Sequence, residues 1–159
     1  MNLFYIDHNP IRACLFHVDR HVVKMPLELA QMLSTAHHVI DGAEARSGIY
    51  KPAYANHPCT VWVRENRSNY AFAALMLVGL LDEYRHRYGR THGTSRVWTL
   101  LSDPPRNLAP GPLTEPPQAM PEEYKHPDPL TAYRNYYRLG KAHLHQWTKR
   151  SAPVWVKNL

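Results

Sequence analysis

The sequence predicts an all-α protein folded as a single helical domain over residues 1–159, with about three main helices and a proline-rich segment wrapped over them before the last. Three observations point there. Apolar residues recur at steps of three and four through two long stretches, and no stretch sustains the period-two alternation of a strand. Nine of the fourteen prolines fall between positions 104 and 129, which marks that stretch as neither helix nor central strand. At 159 residues the chain is long enough to bury a real core and matches one domain in length. With 44% hydrophobic and 20% charged residues, its composition excludes an intrinsically disordered chain.

Leu3 to Ile6 reads as a short extended start. Asn9 offers an N-cap oxygen, and Pro10 suits the first helical position, where its missing N–H has no intrahelical partner to lose. From there Ile11, Leu15, Val18, Val22, Met25, Leu29, Met32, Ala36 and Val39 define one face of a single long helix that ends near Asp41-Gly42. Pro26 falls inside it and predicts a kink. Residues 42–57 form a connection. A second helical region runs from His57-Pro58 to a Gly89 C-cap, with Ser68 capping a fresh start and Leu77, Leu80, Leu81, Tyr84 and Tyr88 as its buried stripe. The proline-rich stretch is expected to lie along the surface, held through Trp98, Leu108 and Met120. Asp128-Pro129 then starts a last helix expected to reach Trp147.

The net charge of +6 has an uneven source. Residues 1–128 hold 13 basic and 13 acidic side chains, whereas residues 129–159 hold six basic ones and no acid. Such asymmetry points to a polyanionic partner, most simply nucleic acid, and double-stranded DNA is the expectation for this chain. Arg134, Arg138, Lys141 and His145 recur at steps of four, three and four on one face of the last helix, interleaved with Tyr133, Tyr136, Tyr137 and Trp147. Cations for phosphates beside aromatic rings for bases is the composition of a nucleic-acid surface.

The first helix carries a second stripe. His17, His21, Lys24, Glu28, Gln31, Thr35 and His38 follow the same steps, about 100° around from the apolar seam. Phe16, Val23, Leu27 and Ala30 make the remaining faces apolar as well, so the helix reads as central and the polar stripe as the wall of a cleft. Within it Glu28 is the candidate for acid–base work, with His21 and Lys24 as its partners. His17 and Lys24 are placed with the DNA contacts. His17 and His21 have the i, i+4 spacing of metal ligands, but no glutamate follows the first histidine and no cysteine pair completes a set, so no metal or cofactor is expected. Cys14 and Cys59 read as small buried residues of a reducing compartment. There is no glycine-rich phosphate loop and no Gly-x-Ser-x-Gly elbow. The start lacks the regions of a signal peptide, and the apolar run from Tyr70 to Leu81 is too short for a bilayer. A cytoplasmic protein with no membrane and no obligate protein partner is the expectation.

The pattern Asp19-Arg20-His21-Val22-Val23 followed by Glu28-Leu29 resembles the first-helix signature of the pyrimidine-dimer DNA glycosylases of the phage endonuclease V type. Asn56-His57-Pro58 before a helix ending Glu83-Tyr84 and Tyr88-Gly89, and the later Tyr136-Tyr137 and Gly140-Lys141, resemble further segments of that family in the same order. The resemblance implies a small helical DNA glycosylase, with AP-lyase activity through the amine of the first residue. That amine attacks the sugar C1′ and forms an imine. It also implies a catalytic role for Glu28 and a place for His21 in the cleft. Two departures stand out: Asn2 is too bulky for removal of the initiator methionine, which puts the amine on Met1, and the family's DNA-contacting arginines are replaced by Leu27 and Gln31. The alternatives are a base-modifying enzyme of the phage DNA hypermodification type and a non-catalytic DNA-binding accessory protein.

Overall fold

A computed structural model describes residues 1–157 as an all-α protein, with no strand among them. The helices are α1 (Pro10–Phe16), α2 (Asp19–Asp41), α3 (Pro58–Val63), α4 (Arg67–Tyr88), α5 (Trp98–Leu101), α6 (Pro129–Asn135) and α7 (Val154–Lys157). The long helices α2 and α4 pack along each other, α1 lies on α4, and α3 closes on α2. Their shared core is built from Val22, Met25, Leu29 and Met32 of α2 with Tyr70, Met76, Leu77 and Leu80 of α4, roofed by Leu3 and Ile6. Gly79 sets how closely α1 approaches: a Cβ there would lie 2.8 Å from Cys14 Sγ and 3.2 Å from Ile11 Cδ1. No helix of the described residues is long and apolar enough to cross a membrane.

Several caps form as expected. Asn9 accepts from the Arg12 N–H, Asp128 from the N–H groups of Leu130 and Thr131, and Gly89 ends α4 in the left-handed region at φ 65°. Three expectations need correction. The first long helix is two helices, because His17 and Val18 are extended at ψ 137° and 155°. The freed Val18 N–H donates to the Tyr137 hydroxyl at 2.8 Å and the Asp19 N–H to Gln146 O at 2.9 Å, so distant side chain and backbone replace two intrahelical bonds. Pro26 lies buried inside α2, where the sequence puts it. Asn66, not Ser68, caps α4, its carboxamide oxygen taking the N–H groups of both Ser68 and Asn69. The last helix stops far short of Trp147: α6 ends at Asn135, and a single π turn at Tyr136–Gly140 and a short 3₁₀ turn follow.

The proline-rich segment is a wrap, held more by polar bonds than by apolar anchors. Leu108 is buried, but Trp98 and Met120 are only half-buried. Proline has no N–H, so the wrap presents mainly carbonyls, and the start of α4 supplies donors. Arg67 Nε donates to Leu108 O at 2.8 Å and Ser68 Oγ to Gly111 O at 2.6 Å, while Asn69 and Thr114 exchange two bonds. Beyond the wrap, the tail returns to the α1–α2 break. Asp19 accepts from Thr148 N and Oγ1 and pairs with Arg87, Arg87 pairs with Glu83, and Arg150 grips Glu83 through two nitrogens at 3.0 and 2.9 Å.

Candidate active site

A tight turn brings the first residues against α2. Asn2 is buried, and its Oδ1 accepts the Phe4 N–H at 2.9 Å, the local i+2 bond that asparagine favours. Its Nδ2 donates to Ala119 O at 2.8 Å, which ties the turn to the wrap. Phe4 sits at φ 47°, in the left-handed region that residues with a Cβ seldom occupy, and its ring stacks on the His21 imidazole at 4.2 Å. The Met1 side chain is consequently buried at 1% exposure, and its α-amino group lies 3.6 Å from Glu28 Oε2. The other carboxylate oxygen, Oε1, takes Lys24 Nζ at 2.9 Å.

These groups line a cavity of about 240 Å³ completed by Met25, Ala119, Tyr136 and Lys141. It shares His21, Lys24 and Lys141 with a neighbouring cavity of about 500 Å³ that adds Arg20, Val23 and Leu144. That one shares Val23 and Lys24 with a third, of about 370 Å³, lined also by Leu27, Tyr50, His92 and Arg96. The three make a continuous groove whose charged walls are Arg20, Lys24, Arg96 and Lys141 against the single carboxylate of Glu28. The π turn delivers the far wall. Its extra residue lets the Lys141 N–H donate to Tyr136 O at 3.0 Å, five positions back, and Lys141 Nζ rests 4.8 Å above the Tyr136 ring.

Two histidines stand behind the cavity, both neutral at ordinary pH. Burial pushes His21 down to about 3, helped by the nearby positive groups of His17, Lys141 and Lys24. Burial likewise brings His17 down to about 4; its Nδ1 bonds Ala13 O at 2.8 Å and its Nε2 is buried without a partner among the described residues. The unfolded chain therefore binds protons near pH 6.5 that the folded one resists until about pH 4 and below, so stability is fully present above 6.5 and drains as pH falls through this window. The expected loss is roughly 1.4 kcal/mol per pH unit per histidine. Urea unfolding between pH 7 and 4 measures it, with a shallower slope for His17→Leu. An unchanged slope in that variant would show that His17 titrates normally.

Several expected DNA contacts lie elsewhere. His17 and Tyr137 are fully buried and cannot meet a ligand. Arg134 is committed to the fold, its Nε bonding Ile6 O at 3.0 Å, its guanidinium 3.5 Å from Asp7 and stacked on Trp155. Arg138 is half-buried outside the cavity walls, and His145 bonds Tyr137 O at 3.0 Å beside a separate cavity of about 290 Å³ with Arg20 and His143. The single basic face expected of the last helix does not exist, because the helix ends before it is complete. Of the expected contacts, Lys24, Lys141 and Tyr136 reach the groove, and Met1, His21 and Glu28 meet in its smallest cavity. Asn2, Arg20 and Arg96 were missed. Arg20 was within reach, one helical turn before Lys24 on the same face; Arg96 arrives from the short 3₁₀ helix Gly93–Val97, which no spacing connects to α2. Among the described residues, no group of three His, Cys, Asp or Glu side chains comes together to hold a metal ion.

No family model, curated protein or solved structure matches the chain.

Proposed function

We propose that the protein is a DNA-processing enzyme, a base-excision glycosylase with an AP-lyase step, that uses the Met1 amine as its nucleophile. The observation that carries this reading is an α-amine 3.6 Å from a half-buried carboxylate in a small cavity of a basic groove. The amine, once it has lost a proton, adds to C1′ of a deoxynucleotide as the bond from C1′ to the base breaks and the base leaves with a proton. Opening of the sugar ring gives an imine between Met1 and C1′, and removal of a C2′ proton then expels the 3′ phosphate. Glu28 is placed to accept the amine proton and to balance the positive charge that develops at the sugar. A nucleotide whose C1′ is to reach the Met1 amine must leave the duplex stack. Arg20, Lys24, Arg96 and Lys141 suit the flanking phosphates.

Reduction with cyanoborohydride on duplex DNA carrying an abasic site tests the reading. A covalent adduct that maps to the Met1 peptide is expected. DNA binding without an adduct would favour the accessory-protein alternative, and no binding would remove DNA from the reading altogether.

Salt dependence separates groove cations from structural ones. Arg20→Ala and Lys141→Ala are each expected to weaken DNA binding and reduce the slope of log affinity against log salt by about one. Arg134→Ala is expected to leave that slope alone and lower thermal stability instead, because its guanidinium already serves Asp7 and Ile6. A slope change only in Arg134→Ala would put the DNA surface on the wrong side of the protein.

A further inference from the structure

We infer that Tyr137 is a positioning residue that locks His21 in the tautomer carrying its proton on Nε2, so that His21 offers the cavity a hydrogen-bond donor and no base. Tyr137 is fully buried, and its hydroxyl oxygen touches two groups: the Val18 N–H at 2.8 Å and His21 Nδ1 at 2.9 Å. The Val18 amide can only donate, so the hydroxyl oxygen accepts from it. The hydroxyl proton then has one acceptor among the described residues, His21 Nδ1, which must present a lone pair. Were Nδ1 protonated, two N–H groups would point at one oxygen and the hydroxyl proton would be stranded in the core.

The proton of the neutral ring therefore sits on Nε2, the nitrogen left for the cavity that His21 lines. Stacking on Phe4 at 4.2 Å, with an interplanar angle of 20°, holds the ring in that orientation. Burial and the cationic neighbours Lys24 and Lys141 keep the imidazole uncharged, which agrees with the geometry. The break between α1 and α2 thus has a purpose beyond topology. It frees the one amide that fixes which way the Tyr137 hydroxyl points. With no lone pair on Nε2, proton acceptance in the cavity falls to Glu28, and His21 binds an oxygen or ring-nitrogen acceptor of whatever enters. The substrate role rests on the glycosylase reading; the tautomer does not.

Two-bond ¹H–¹⁵N correlation spectra of the uniformly labelled full chain near neutral pH test the tautomer, with His21 assigned from His21→Gln. The expected result is a widely split pair of ring nitrogens with Nε2 protonated, and a split that collapses toward the tautomer average in Tyr137→Phe while histidines remote from Tyr137 keep theirs. A wild-type Nδ1–H form, or an unchanged split in Tyr137→Phe, overturns the inference. Should Tyr137→Phe not fold, the wild-type spectrum decides alone. The substrate role is read in the trapping assay, where the glutamine amide places an N–H near the Nε2 position. His21→Gln should trap at least roughly ten times faster than His21→Ala. Equal loss in both variants, with a wild-type adduct present, overturns the donor role. Absence of any adduct alongside the Nε2–H spectrum retires the glycosylase reading and the substrate role but upholds the tautomer.

Discussion

Glu28→Gln is expected to fold, to bind DNA and to form the trapped adduct about a hundredfold or more slowly than the wild type, the scale on which a lost acid–base group is felt. The substitution keeps the shape of the side chain and removes the charge that faces the Met1 amine at 3.6 Å and Lys24 at 2.9 Å. Lys24 is largely in solvent, and an i, i+4 pair of that kind contributes only a few tenths of a kcal/mol. The loss of stability should therefore stay within about 1–2 kcal/mol. Affinity for DNA should hold or rise, because the only carboxylate in the groove walls has lost its charge. Single-turnover trapping and binding isotherms, run on the same preparation, separate these effects. A variant that unfolds, while its remaining native fraction turns over normally, would make Glu28 a structural ion-pair member and end its catalytic assignment.

Arg87→Met is expected to cost about 3–5 kcal/mol, the scale for deleting one partner of a buried ion pair, and to lower the melting temperature by roughly 10 °C. Arg87 is 2% exposed and bridges three elements. Its Nε pairs with Glu83 on α4 at 2.7 Å, one terminal nitrogen with Asp19 on α2 at 2.8 Å, and the other donates to Leu15 O at 3.2 Å. Burial works against an ionised Glu83, but hydrogen bonds from Arg150 and Arg87 overcome it and hold the carboxyl below the ordinary carboxylate range. Methionine fills the same volume with no charge and leaves a buried carboxylate with only the partly exposed Arg150 to answer it. Arg150→Ala, at the rim of the same network, should cost far less. If thermal unfolding places Arg87→Met within about 1 kcal/mol of the wild type, the network is not what joins α1 and α2 to α4.

What the sequence made legible was set by neighbours along the chain. The caps at Asn9, Asp128 and Gly89 satisfy backbone groups two to four positions away, and the small cavity's His21, Lys24 and Glu28 lie on one helix face. What stayed hidden depends on partners far off. Leu15, Val18 and Val22 keep helical spacing straight through the α1–α2 break, so periodicity cannot reveal it; its cause is a hydroxyl 119 positions later. Similar reasons govern the last helix. Arg134, Arg138, Lys141 and His145 share a face only if the helix continues, and the π turn rotates Lys141 to the groove while Arg134 turns to Asp7. The sequence reading takes Ser68 as the cap; Asn66, two residues earlier, reaches two amides at once and holds that place.

The bond between Asn2 and Ala119, spanning 117 positions, has a consequence for when the protein acquires its site. Met1 and Glu28 come from the first 28 residues, but the opposite wall, Ala119, Tyr136 and Lys141, leaves the ribosome well after them. A nascent chain can make α2 early and still hold an unfinished cavity, with the Met1 turn lacking the carbonyl that anchors it. Closing so long a loop carries an entropic penalty that must be met before its contacts give anything back, and folds dominated by such pairings form slowly for helical proteins of their size. The cavity is thereby closed only after Lys141 has been made, long after the Met1 amine and Glu28 have been synthesised.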